Sequence, residues 1–170
     1  MENTMHTLKT ISAEAIPRAI QKAERYRLLN QSWATESICL DILQVEPANQ
    51  PVLVMLLLSL TDQFGPQPKE LSKRAHALLD RLTDPYQRLY YDGIIHERLA
   101  HAQLTQNAMH AEAMARESLR VAMTAFEEAE RLREPGNDNA LLRWNTCART
   151  LERLRTHDET EGQYEPHFGE

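Results

Sequence analysis

Little in this sequence breaks a helix. Its 170 residues include five glycines and eight prolines, and no segment alternates apolar and polar side chains over a useful length. Sheet is thereby excluded and long helices are favoured. Cysteine is nearly absent. Cys39 and Cys147 are the two present; both fall in apolar helical patterns and neither forms a C-x-x-C pair. Buried free thiols and a reducing, cytoplasmic setting are expected rather than a disulfide. Long apolar runs are also lacking. The most apolar, "PVLVMLLLSL" at 51–60, is about half of what a bilayer span requires, so it reads as a buried helix and no membrane partner is expected. The opening "MENTMHTLKTIS" has no apolar core and is no secretion signal. Positive charge is in deficit, 19 Lys and Arg against 25 Asp and Glu, which argues against a nucleic-acid partner because phosphate contacts need a basic surface.

What is present is helical periodicity with clear punctuation. Hydrophobic residues at 42% and charged residues at 26% lie in the globular range. The pattern predicts an N-terminal segment over 1–15, an all-α domain over 16–155 and a polar, disordered tail over 156–170. Seven helices are expected: Pro17 to Leu29, Ser32 to Val45 with Ser32 as N-cap, Gln50 to Gln63, Lys69 to Leu82, Asp84-Pro85 to Leu104, Asn107 to Arg133, and a seventh ending near Leu154. In the "PGND" turn before it, Gly136 suits a left-handed cap, and Asn137 or Asp138 suits the next N-cap. Each even-numbered helix closes on an acidic residue and a proline, at Pro47, Pro85 and Pro135. That is a repeat signal with irregular spacing.

The helix faces carry the repeat further. Trp144, Cys147, Ala148 and Leu151 share one face of the seventh helix. Ala122, Phe126 and Ala129 share one face of the sixth, with Pro135 beyond. Leu89, Asp92, Gly93 and His96 follow the tryptophan helix's steps in the fifth, and a glycine inside a helix usually permits a close crossing. In these residues the chain resembles the tetratricopeptide repeat family, which pairs a W-x-x-L-G-x-x-Y helix with an A-x-x-x-F-x-x-A helix and a following proline. Ala23, Tyr26 and Pro47 match the opening repeat. The resemblance covers about residues 16 to 154 and implies a helix-turn-helix repeat solenoid. The third pair departs from the family by its length, since 29 positions separate Gly93 from Ala122.

One stretch invites an enzymatic reading. "HERLAH" at 96–101 is one residue away from H-E-x-x-H, whose histidines reach one zinc because four residues nearly complete a turn. His96 and His101 lie five apart, about 140° around a helix, and do not converge. No metal, cofactor or catalytic residue is therefore assigned, and a helical metal-dependent hydrolase using His96, Glu97 and His101 remains the alternative from another class. Cys147 as a nucleophile is set aside because it falls in an apolar stripe.

Binding is what remains, and the resemblance implies a concave groove lined by the first helix of each pair. The implied positions are Ile20, Glu24 and Arg27, then Val54, Leu58 and Thr61, then Tyr90, Ile94, Glu97 and Arg98, then Asn145, Arg149 and Arg153. Of these, Val54, Leu58, Tyr90, Ile94, Arg98, Asn145, Arg149 and Arg153 form the candidate peptide site, with an apolar middle and a cationic end. The expected function is a non-catalytic adaptor or scaffold that binds a protein or peptide. The alternatives are a chaperone of an exported protein and a self-assembling module, a homodimer formed around Trp144.

Overall fold

The computed structural model describes residues 6–65, 68–106 and 110–161, with side chains in the last helix described as far as Thr156. Among these residues the chain is all-helical and contains no strand. A short 3-10 turn at Ala13–Ala15 precedes seven helices: α1 (Ile16–Leu28), α2 (Ser32–Val45), α3 (Gln50–Asp62), α4 (Lys69–Leu79), α5 (Pro85–Leu104), α6 (Ala111–Arg131) and α7 (Asn139–Glu161). No described helix is long and apolar enough to cross a membrane.

Punctuation explains most of the ends. Pro17, Pro51 and Pro85 occupy first-turn positions, where a missing N–H leaves no helical bond unmade. Asp84 caps α5 by accepting from Tyr86 N at 2.9 Å, and Asn49 caps α3 by accepting from Val52 N at 3.2 Å. Gly136 takes the left-handed conformation, φ 85°, and Asn137 Oδ1 accepts from Asn139 N at 3.2 Å where α7 begins. Four expectations differ. Helix α6 begins at Ala111, after His110 in the left-handed conformation, φ 72°, and not at the expected Asn107. Ser32 is the first helical residue and not the cap; that place belongs to Gln31, with no side-chain bond. Helix α4 stops at Leu79, before the expected Leu82. Helix α7 runs on to Glu161, well past Leu154, and the rest of the expected tail, 162–170, lies outside the described residues.

The chain divides into two compact units at Thr83/Asp84. In the first, α1 packs on α2, α2 on α3 and α3 on α4. Its core is aliphatic: Ile42, Val52, Leu53, Leu57, Leu60 and Leu82 are fully buried. Polar side chains tie the helices together. Thr35 Oγ1 donates to Ala23 O at 3.1 Å, Arg27 pairs with Asp62 at 2.9 Å, and Arg74 pairs with Glu36, which also accepts from Gln63 at 2.8 Å.

In the second unit α5 packs on α6 and α6 on α7. Its core is built of small residues around one ring. Gly93, Ala100, Ala111, Ala115, Ala122, Ala125, Ala129 and Ala140 are buried, and Phe126 is fully buried among them. A Cβ added at Gly93 would lie 2.4 Å from Phe126 Cε1. That is far inside contact distance, so the glycine is what lets α5 approach the ring. Ser118 Oγ donates to Gln103 Oε1 at 2.9 Å, both groups buried, and ties the same two helices. Cys39 and Cys147 are free and buried, one in each unit.

Candidate functional site

The residues of "HERLAH" lie on the unbroken α5 and face three different surroundings. His96 is half-buried, with Nε2 3.7 Å from Asp92 Oδ1. His101 is exposed. Glu97, between them, is 2% exposed, and its two carboxylate oxygens lie 3.4 and 3.5 Å from Arg143 Nη1 on α7. A buried carboxylate needs a partner of this kind, because desolvating an unpaired charge costs several kcal/mol. Burial works against the Arg143 charge, yet the Glu97 carboxylate and a hydrogen bond to Tyr90 outweigh it and hold the guanidinium above its ordinary range. Burial likewise pushes the Cys147 thiol up to about 12, with Glu97 adding to the shift and Arg143 opposing it. Such a thiol stays protonated at neutral pH and makes a poor nucleophile. In α2, burial and Glu36 push Cys39 up to about 12 as well.

The structure places the expected binding residues unevenly. In the first unit Val54 and Leu58 are half-buried, one turn apart on α3, and Thr61 is buried. Of the positions on α1, Ile20 is half-buried, Glu24 exposed, and Arg27 held by Asp62. In the second unit Tyr90 and Arg98 are half-buried. Ile94 departs from expectation, for it is 2% exposed and belongs to the core, as does Glu97. The reason is the packing of α5. Its buried residues Gly93, Ile94, Ile95, Glu97, Ala100, Ala102 and Gln103 span nearly the whole circumference at about 100° per residue, so the middle of this helix keeps no apolar face for a ligand.

Three of the expected positions lie on α7. Asn145 is half-buried, and Arg149 and Arg153 are exposed. Together with Thr146 and Glu152, the two arginines line a shallow depression of about 560 Å³. The neighbouring acids are engaged elsewhere: Glu152 with Arg155 and Glu97 with Arg143. Hydrogen bonds from Arg155 hold the Glu152 carboxyl below its usual range. Arg153 donates to Thr150 Oγ1 at 3.1 Å, and neither Arg149 nor Arg153 meets a carboxylate among the described residues. Leu142, 60% exposed, continues the same stripe, since 142, 146, 149 and 153 follow the i, i+4, i+7, i+11 steps of one helix face. Leu142 and Thr146 are absent from the sequence-derived site. The spacing that joins them to the arginines was their signal.

Trp144 is half-buried rather than enclosed, and its Nε1 donates to Glu127 Oε1 on α6 at 2.8 Å. That bond anchors the indole of α7 to α6. Comparison with family models, with curated proteins and with solved structures finds no match for this chain.

Proposed function

We propose that this chain is a non-catalytic adaptor of tetratricopeptide-like construction that binds a protein or peptide through the exposed face of α7. The observation that carries the proposal is the pair Arg149 and Arg153, one turn apart, exposed, and without a carboxylate partner among the described residues. Two guanidinium groups so placed can grip one carboxylate or phosphate with charge-assisted, bidentate hydrogen bonds. Leu142 supplies an apolar contact about 16 Å along the helix from Arg153, from eleven residues at a 1.5 Å rise. The ligand that fits is a peptide with an acidic group and, about four or five residues away along an extended chain at about 3.3–3.6 Å per residue, an aliphatic side chain. Support for the repeat reading comes from the second unit, where Gly93 meets Phe126 and where Ala122 and Ala129 are buried on the same face as that ring. Small residues at the crossing with a large one in the seam is the pattern on which the resemblance rests.

Selection of a random peptide library on the purified protein tests the proposal. Enriched peptides should share an acidic residue near an aliphatic one, and their binding should be lost in Arg149→Glu/Arg153→Glu. Enrichment of peptides without an acid, or retained binding by the folded double variant, would overturn it.

A further inference from the structure

At one end of the second unit, the first turn of α5 and the turn between α6 and α7 enclose a cavity of about 350 Å³. Its aromatic wall is Tyr86, Tyr90 and Tyr91, and its acids are Asp84 and Glu134. Leu132, Gln87, Asn137 and Asn139 complete it. No lysine or arginine lines it among the described residues.

The wall is built in layers. Tyr86 and Tyr90 stack with centroids 5.8 Å apart and planes 11° from parallel. Tyr91 meets Tyr90 edge-on at 5.1 Å. Tyr90 in turn leans on Phe126 at 5.9 Å, the ring that Gly93 admits. Tyr86 is further fixed by its hydroxyl, which donates to Asn137 Oδ1 at 3.3 Å. The rings are therefore held in place before any ligand arrives. The carboxylate of Glu134 makes no hydrogen bond or ion pair among the described residues, and Asp84 uses Oδ1 to cap α5. Arg143, which reaches Tyr90 from α7, is paired with Glu97.

Aromatic faces attract cations, carboxylates attract them more strongly, and amide oxygens accept further N–H donors. A planar guanidinium combines all three, since it stacks on a ring while its fork of five donors meets several acceptors. The volume sits at the small end of ligand pockets and suits one side chain rather than a cofactor. The geometry points to a cation pocket that takes an arginine side chain of a bound polypeptide. It is a second recognition point on the unit that carries the arginine stripe, opposite in charge and independent of it.

Calorimetric titration with the blocked peptide acetyl-Gly-Arg-Gly-amide tests the inference. Saturable binding is expected, weakened at least about tenfold when citrulline, the neutral isostere, replaces arginine, because the charge-assisted hydrogen bonds, the stronger kind, are lost. The lysine peptide should bind more weakly than the arginine peptide. Asp84→Asn/Glu134→Gln keeps shape and helix cap while removing both charges, and should lose binding at least about tenfold with an unchanged melting temperature. Arg149→Glu/Arg153→Glu should bind the arginine peptide as the parent does, which separates this pocket from the α7 stripe. No saturable binding of the arginine peptide, equal binding of the citrulline or lysine peptide, or equal binding by the Asp84/Glu134 variant would overturn it.

Discussion

The two units of this chain solve the same packing problem with opposite materials. The first fills its interior with branched and straight aliphatics, and α3 is apolar almost all round, with Val52, Leu53, Met55, Leu56, Leu57 and Leu60 buried along it. The second brings helices together through glycine and alanine around a single phenylalanine, and it buries a carboxylate, Glu97, with its arginine. Volume stabilises the first; closeness stabilises the second. A core of aliphatics adapts to swaps that conserve volume, whereas a close crossing fixes register and carries Tyr90, Arg143 and the α7 stripe at set positions. The recognition features proposed above all lie on the second, more exacting unit.

Substitutions of opposite sign in volume test this contrast. The largest effect is expected in the first unit, where Leu57→Ala should cost about 2–5 kcal/mol by opening a cavity and Leu57→Met less than about 1.5 kcal/mol; urea titration of each variant checks both. In the second unit a single added methyl should already harm. Gly93→Ala should destabilise by about 1–3 kcal/mol, although alanine is the better helix former by about 1 kcal/mol. Pairing it with Phe126→Leu should recover part of the loss relative to Phe126→Leu alone. A stabilised Gly93→Ala would mean that the crossing is loose and the contrast false.

The buried thiols report on the same comparison. With both pushed up to about 12, above an ordinary value of about 8.5, they stay protonated at pH 8. Reaction with a disulfide reagent should then be slow in the native protein and should follow opening, Cys147 responding first in Gly93→Ala and Cys39 first in Leu57→Ala. Mass spectrometry of the labelled peptides reads which thiol has reacted. A smaller effect is expected at Trp144. Trp144→Phe gives up the bond to Glu127 at the surface and should cost about 0.5–1.5 kcal/mol, and Trp144→Ala should fall below the roughly 3–5 kcal/mol of an enclosed aromatic. Thermal melts of the two variants check this. Smallest of all, Arg149→Glu/Arg153→Glu should move stability by under about 0.5 kcal/mol.

What was legible in the sequence follows the same division. Helix ends marked by Pro47, Pro85 and Gly136 were readable because those residues restrict the backbone wherever they stand. The Gly93–Phe126 crossing was foreshadowed by small and large residues at fixed steps, since such a pattern has few other uses. The burial of Ile94 was not readable. Assigning it to a groove assumes one covered and one open face, and α5 is covered nearly all round. Glu97 was missed as a core residue for a related reason: its partner Arg143 lies 46 residues away, and no local pattern announces such a pair. The cavity beside Tyr86 was hidden likewise, because Tyr86, Glu134 and Asn137 line it only once the chain has turned back from α6 into α7. Tyr90 was expected to line an apolar groove, and it stands among Tyr86, Tyr91 and Phe126.

The claim on which the account depends is that Arg149 and Arg153 form a recognition face for an acidic ligand. The most direct measurement is the Kd of an acidic, leucine-containing peptide from the library selection, taken across a range of salt concentrations for the parent and for Arg149→Glu/Arg153→Glu. Affinity should fall with salt in the parent, and at low salt the double variant should lose at least about tenfold, equivalent to about 1.4 kcal/mol, with the melting temperature unchanged. Equal affinity and equal salt dependence in the two proteins would contradict it.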